Sequence, residues 1–292
     1  MALDPQQNDL VNRAKAYPFG TPVSSYLFVC GECWPVDCYN ELRPERSIVR
    51  FHDERSSATD LFVSKGLKTS YLAAPRIPIL ASGSNASPAR LREKFCNALE
   101  QTVIPVILYS VKNLLPVFSA KFASYGSITA TLQQAQNTET KMFVTFLSLE
   151  QLELMHQTEA IGDEYDFARL SRVDIQQTTC GSAAQKTVYA YLSRKGVFSS
   201  GGQQFSLDSR SALNRGFAHK TQIEILTQAR DLLSPQEDLD HFLLRNITDE
   251  KVRRKHNLAL QQFSQPFEGN NTTLIRGKSS NLFQTSHWTQ AQ

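Results

Sequence analysis

The apolar positions of this chain fall into short runs over its first two thirds and change to helical spacing near its end. Runs rich in β-branched and aromatic residues predict strands over 24–30, 47–52, 77–80, 102–110, 114–119 and 142–147. A stretch bearing Cys and Pro separates the first two, and a Pro-marked connector leads into the third. Over 88–99, Leu91, Phe95 and Leu99 recur at helical spacing with Cys96 on the same face, which predicts a helix with Arg90, Arg92 and Lys94 lying elsewhere. Beyond Gly201-Gly202 and a Ser- and Gln-rich link come amphipathic patterns over 221–233, 236–244 and 248–263. In the first of these, Ile223, Leu226, Ala229 and Leu233 share a face. The last thirty residues are rich in Asn, Thr, Ser and Gln and read as a poorly ordered tail. No internal repeat is seen.

Composition narrows this to a globular protein. The 292 residues are 41% hydrophobic and 20% charged, enough for a sizeable core. Lys and Arg number 31 against 28 Asp and Glu, a net charge of +3, and Lys251-Val-Arg-Arg-Lys-His256 is the only tight basic cluster. One such cluster on a helix reads as a solvated face, so no nucleic-acid partner is expected. No run approaches the roughly 18 apolar residues of a membrane span, and the N-terminus lacks a secretory pattern, so a cytoplasmic protein without membrane contact is expected. On that expectation the sequons at Asn246 and Asn271 are chance matches. Cys30, Cys33 and Cys38 raise zinc, redox pairing, or buried and edge thiols. Zinc lacks an evident fourth ligand, Cys96 and Cys180 being distant in sequence.

The most informative segment is 77–99, where the apolar run Ile77-Pro-Ile-Leu80 feeds Ala-Ser82-Gly83-Ser84-Asn85-Ala86-Ser and then a helix start. A glycine lets backbone approach a ligand closely, and free N–H groups at a helix start suit a carboxylate or a developing oxyanion. A second segment, 145–159, is a strand end passing into a short amphipathic helix that delivers Glu159.

Together the two segments resemble the gamma-glutamylcyclotransferase-like family, in which a strand ends in a Tyr-Gly-Ser-Asn-Leu-type loop and a later Leu-x-x-Leu-Asp-x-x-Glu-Gly helix end supplies a catalytic glutamate. Gly83, Ser84 and Asn85 match the first motif, and Leu152, Met155, His156 and Glu159 align with the second. Residues 117–132 look like the family's middle strand and polar loop, Tyr165 stands where a tyrosine often opens the next strand, and 188–192 reads as the strand closing the barrel. The likeness covers about 75–195. Three positions depart from it: Ser82 replaces the tyrosine, Ala86 a larger apolar residue and Ala160 the glycine.

The resemblance implies an α+β fold, a small mixed β-barrel with packed helices over 76–200. To this are added an N-terminal β extension over 1–75, packed on the core, and a C-terminal helical appendage with a polar tail over 201–292. It implies cyclisation of a small-molecule γ-glutamyl compound to 5-oxoproline with release of an amine or amino acid, needing no cofactor or metal. Glu159 would shuttle the proton, its acidity weakened by burial among Met155, Ile161 and Tyr165. The Gly83–Asn85 loop would cradle the oxyanion. Ser82, Tyr125, Ser127 and Tyr165 would line the substrate site, and His156 could orient Glu159 or serve only in packing. Other acyl or amide chemistry on the same scaffold and a non-catalytic binding role remain the alternatives.

Overall fold

The structure, a computed structural model, describes residues 3–52, 54–181, 184–269 and 272–275. Most of the expected polar tail and the sequon at Asn271 lie outside the described residues.

Helix α1 (Pro5–Lys15) starts at Asp4, whose side chain and that of Gln7 cap each other's backbone. Its apolar signal is faint because it buries only Val11 and Ala14. β1 (Tyr26–Val29) and β2 (Glu32–Cys38) form a hairpin closed by Cys30 and Gly31, both at positive φ. β2 occupies the Cys- and Pro-bearing stretch between the first two predicted strands, which has no continuous apolar run to mark it. β3 (Ile48–Phe51) and β4 (Glu54–Ser57) continue the same sheet, followed by α2 (Ala58–Ser64) and α3 (Ser70–Ala73).

β5 (Ile77–Ala81) enters the Gly-Ser-Asn turn, which passes through a short 3-10 turn at Ser84–Ala86 into α4 (Pro88–Lys94). The predicted helix over 88–99 thus stops early and continues as a 3-10 segment, Cys96–Gln101, with Leu91 and Phe95 buried and Cys96 exposed. The two strands expected over 102–119 are one, β6 (Val103–Phe122), which runs back along β7 (Ile128–Leu147). Their register shifts between Lys112 and Leu114, where Asn113 and the facing Asn137 both have φ near +61°, and Asn137 N donates to Asn113 Oδ1 at 2.9 Å. That irregularity broke the apolar run and mimicked a loop.

Helix α5 (Leu149–Thr158) follows, then β8 (Tyr165–Gln177), β9 (Ala184–Ser193), β10 (Val197–Ser200) and β11 (Gln203–Leu207). The Gly201-Gly202 link is therefore the turn of a β-hairpin, both glycines at positive φ. The last helices are α6 (Gln222–Leu233), α7 (Leu239–Thr248) and α8 (Glu250–Leu260). In α6 the buried stripe is Gln222, Ile225, Leu226 and Ala229, which leaves the expected Ile223 half exposed.

β7, β5, β9, β8 and β6 pair in that order, and β6 returns to β7, closing a five-stranded barrel that is antiparallel except at β5–β9. With helices packed around it, this is the α+β, mixed-barrel architecture expected. Alternation along the strands splits the packing in two: Ile107, Met142 and Val144 face one core with Val49, Phe62 and Leu72, while Val106, Phe143 and Phe167 face another that takes Leu91, Phe95, Leu152 and Met155. A third core joins the β6–β7 tip to α1, α6, α7 and α8 through Phe118, Phe122, Ile128, Ile225 and Phe242.

Among the described residues no helix is long and apolar enough to cross a membrane. Cys38, at the end of β2, is disulfide-bonded to Cys180, between β8 and β9, while Cys30, Cys33 and Cys96 are free thiols. None of the alternatives weighed for the Cys30–Cys38 group included this pairing, because Cys180 is 142 residues away in sequence. Among the described residues no group of three or more His, Cys, Asp or Glu is placed to hold a metal ion. Asn246 is fully buried, with Nδ2 donating to Phe242 O at 3.0 Å and Oδ1 3.1 Å from His256 Nδ1, so its sequon is structural.

Candidate functional site

The residues of the two motifs meet at one place. Ser148 caps α5 with Gln151, Leu152 and Met155 anchor the helix in the core, and Glu159 is its C-cap residue. The next residue, Ala160, holds φ +47°, the left-handed conformation that usually falls to glycine after a helix. The bend is made without the glycine, and the acid is delivered all the same. Opposite it, β5 ends before Ser82, and Gly83 leads into the 3-10 turn.

The link between them is Lys94, the last residue of α4. Its ammonium bonds the Glu159 carboxylate and donates to Asn85 Oδ1 at 2.8 Å and Met155 Sδ at 3.3 Å. The side chains of Lys94 and Glu159 are only 4% and 12% exposed. Burial by itself would raise the Glu159 carboxyl, but the charge and hydrogen bond of Lys94, a hydrogen bond with Asn85 and the charge of Lys121 outweigh it and hold the group below its ordinary value. This reverses the expected weakening of the acid. Lys94 lies off the apolar face of the predicted helix, and apolar periodicity offers no signal that a lysine turns inward. Burial lowers the Lys94 ammonium, against the raising effect of Glu159.

Two neighbours of Gly83 come from outside the motifs. A Cβ on Gly83 would stand 1.9 Å from Tyr17 Oη, so the glycine makes room for this ring. Tyr17 follows α1, and its hydroxyl accepts from Ala130 N at 2.9 Å. A tyrosine from the N-terminal flank thus lies against the turn whose own tyrosine position is Ser82. From the other flank, buried Arg210 donates through Nη2 to Gly83 O at 2.7 Å and through Nη1 to Thr21 Oγ1 at 2.9 Å. Because a trans peptide sets its C=O and N–H in opposite directions, fixing the Gly83 carbonyl also fixes where the Ser84 N–H points.

The other expected residues divide. Ser82 is buried at the end of β5. Tyr165 is buried, its hydroxyl donating to Thr129 Oγ1 at 2.8 Å, with Lys121 Nζ 4.8 Å from its ring centroid. Tyr125 packs edge-on against Phe19 with Arg90 over both rings; burial, opposed by Arg90 and helped by the charge of Glu159, pushes its hydroxyl up to about 12. Ser127 is fully buried and donates to Ala14 O at 2.7 Å, which ties the β6–β7 turn to α1. His156 Nδ1 lies 2.9 Å from Tyr191 Oη, and burial pushes the imidazole down to about 4, leaving it neutral. Ile161 is buried in the same core as Met155. A surface groove of about 550 Å³ at Phe205, Lys220, Ile223 and Asp231 includes none of these residues.

The arrangement offers a buried carboxylate, a 3-10 turn start whose N–H groups have no partner within the turn, and one ammonium joining them. It can hold a cation against Glu159 and exchange a proton there.

No family model matches the chain, and no curated protein matches it. It is similar to a solved structure of a gamma-glutamyl cyclotransferase at 16% identity and a TM-score of 0.32, covering 40% of this chain and 66%, just under two thirds, of that one. It is similar to the solution structure of a protein of Arabidopsis thaliana at 15% identity and a TM-score of 0.31, covering 43% of this chain and 73% of that one. An uncharacterized protein of Homo sapiens is 11% identical with a TM-score of 0.33, over 71% of this chain and 95% of its own. These are likenesses of fold and say nothing of activity.

Proposed function

We propose that the chain cyclises a small-molecule γ-glutamyl compound, releasing 5-oxoproline and an amine or amino acid. The observation that supports this reading is the meeting of Glu159 with the Gly83–Asn85 turn through a single ammonium, because the reaction requires an ammonium at that point. The substrate's α-ammonium would give a proton to the Glu159 carboxylate, and its nitrogen would form a bond to the γ-carbonyl carbon. The carbonyl oxygen, now negative, would be met by N–H groups of the turn. Collapse of the intermediate would break the bond to the leaving nitrogen, which would take its proton from Glu159, and the ring nitrogen would pass its second proton through the regenerated carboxylate to the departing amine, which leaves as an ammonium. Tyr165, Tyr125 and Ser82 would wall the substrate, and no cofactor enters the scheme.

The direct test is incubation with γ-glutamyl amino acids, γ-glutamyl amines and glutathione, with detection of 5-oxoproline. Glu159→Gln keeps an oxygen for Lys94 yet removes the proton acceptor. It is expected to lower turnover by about 10²–10⁴-fold with the circular dichroism spectrum unchanged. Undiminished turnover would reject Glu159 as the shuttle.

A non-catalytic binding role is the second reading, favoured by the closed Lys94–Glu159 pair, in which the acid already holds a partner. Ligand binding without any 5-oxoproline would decide for it.

A further inference from the structure

We infer that Lys94 is an internal stand-in for the ligand's ammonium, one that a ligand carrying its own free ammonium replaces at little cost. This rests on the proposed location of the site but not on cyclisation taking place there.

An ammonium has three N–H donors and no acceptor. Those of Lys94 have three partners, Glu159 Oε1, Asn85 Oδ1 and Met155 Sδ. While they are engaged, the lysine has no donor left for a ligand, so it acts by filling space and satisfying acceptors. A ligand that enters must move it. A ligand without a cation would displace Lys94 only by leaving Glu159 charged, buried and unpaired, which is a heavy cost. A ligand with a primary ammonium can return the same three bonds to the same three acceptors, so the exchange is close to neutral. The lysine has somewhere to go: it ends α4, where the helix C-terminus favours a cation, and its four-carbon stem can swing the charge outward. The exchange also frees the acid from its fixed partner. A proton then passing from the ligand's ammonium to Glu159 would neutralise both groups in a place where burial disfavours charge.

L-Glutamine, a γ-glutamyl amide, and glutaramic acid, the same molecule without its α-amine, are the probes, titrated into the full chain by calorimetry. The wild-type protein is expected to bind L-glutamine and to bind glutaramic acid at least tenfold more weakly. Lys94→Met, which keeps the length and loses the charge, is expected to tighten both probes, L-glutamine about tenfold, because neither then has to displace the lysine. Equal binding of both probes by the wild type, weaker L-glutamine binding by the variant, or no binding of either probe to either protein would overturn the inference. Reductive methylation of the unaltered protein serves if the variant does not fold. Relative to the protein's exposed lysines in the same sample, since the amine of L-glutamine also consumes reagent, Lys94 should react slowly alone and several-fold faster with saturating L-glutamine, and protection that persists in the bound state would also overturn it. Tight, ammonium-selective binding with no 5-oxoproline formed would keep the role of Lys94 and sink the cyclisation.

Discussion

At Glu159 two opposed effects act on one carboxyl, and the outcome is set by a residue that apolar spacing had placed elsewhere. Burial pushes the group toward protonation, and Lys94, Asn85 and Lys121 more than undo it. A carboxyl whose folded value is depressed adds stability that is complete above its unfolded pKa, near 4.3, and lost as the pH falls through the folded value. The stability gap between the wild type and Glu159→Gln, about 1–3 kcal/mol at neutral pH, is therefore expected to close below about pH 4. Urea unfolding from pH 7 to pH 3 would check it, and a constant gap would mean that the carboxylate is not held charged by its neighbours.

Among the elements, α5 shows how a motif can depart from its pattern and still place its key group. Ala160 sustains φ +47° where the family has glycine, at a cost of order 1 kcal/mol. Ala160→Gly is expected to stabilise the protein by about 0.5–1 kcal/mol without moving Glu159, seen as a higher urea midpoint with unchanged ligand affinity. Much at this scale was legible in the sequence. β5 and the apolar end of β7 announce themselves by their runs, and α6 to α8 by spacing. β2 lacked such a run, β6 was split by the irregularity at Asn113, and α1 buries too little to be noticed. Of the site, Glu159 and Gly83 to Asn85 could be read because they lie in two short segments. Lys94, Tyr17 and Arg210 could not, since each reaches the turn only through the folded chain.

For the molecule as a whole, the flanks are fastened to the barrel in several ways. β1 extends the edge of β6. Tyr39 and Gln177 exchange two hydrogen bonds, Tyr39 N to Gln177 Oε1 and Gln177 Nε2 to Tyr39 O, both at 3.0 Å, beside the Cys38–Cys180 bridge. A bridge across 142 residues of sequence removes much freedom from the unfolded chain, and Cys38→Ser is expected to cost about 2–4 kcal/mol. The melting temperature of the wild type should fall toward that of the variant when reductant is added, while that of the variant should not move; a wild type indifferent to reductant would show that the bond does not form. The bond would also report the protein's compartment, since a reducing cytosol would leave both thiols free.

The approach of Tyr17 and Arg210 to Gly83 has a consequence for anyone dissecting the gene. The stretch bearing the familiar motifs is not a self-sufficient cassette: grafted elsewhere or trimmed to its borders, it would carry its acid and its glycine bend but lose the ring and the guanidinium that give the bend its shape.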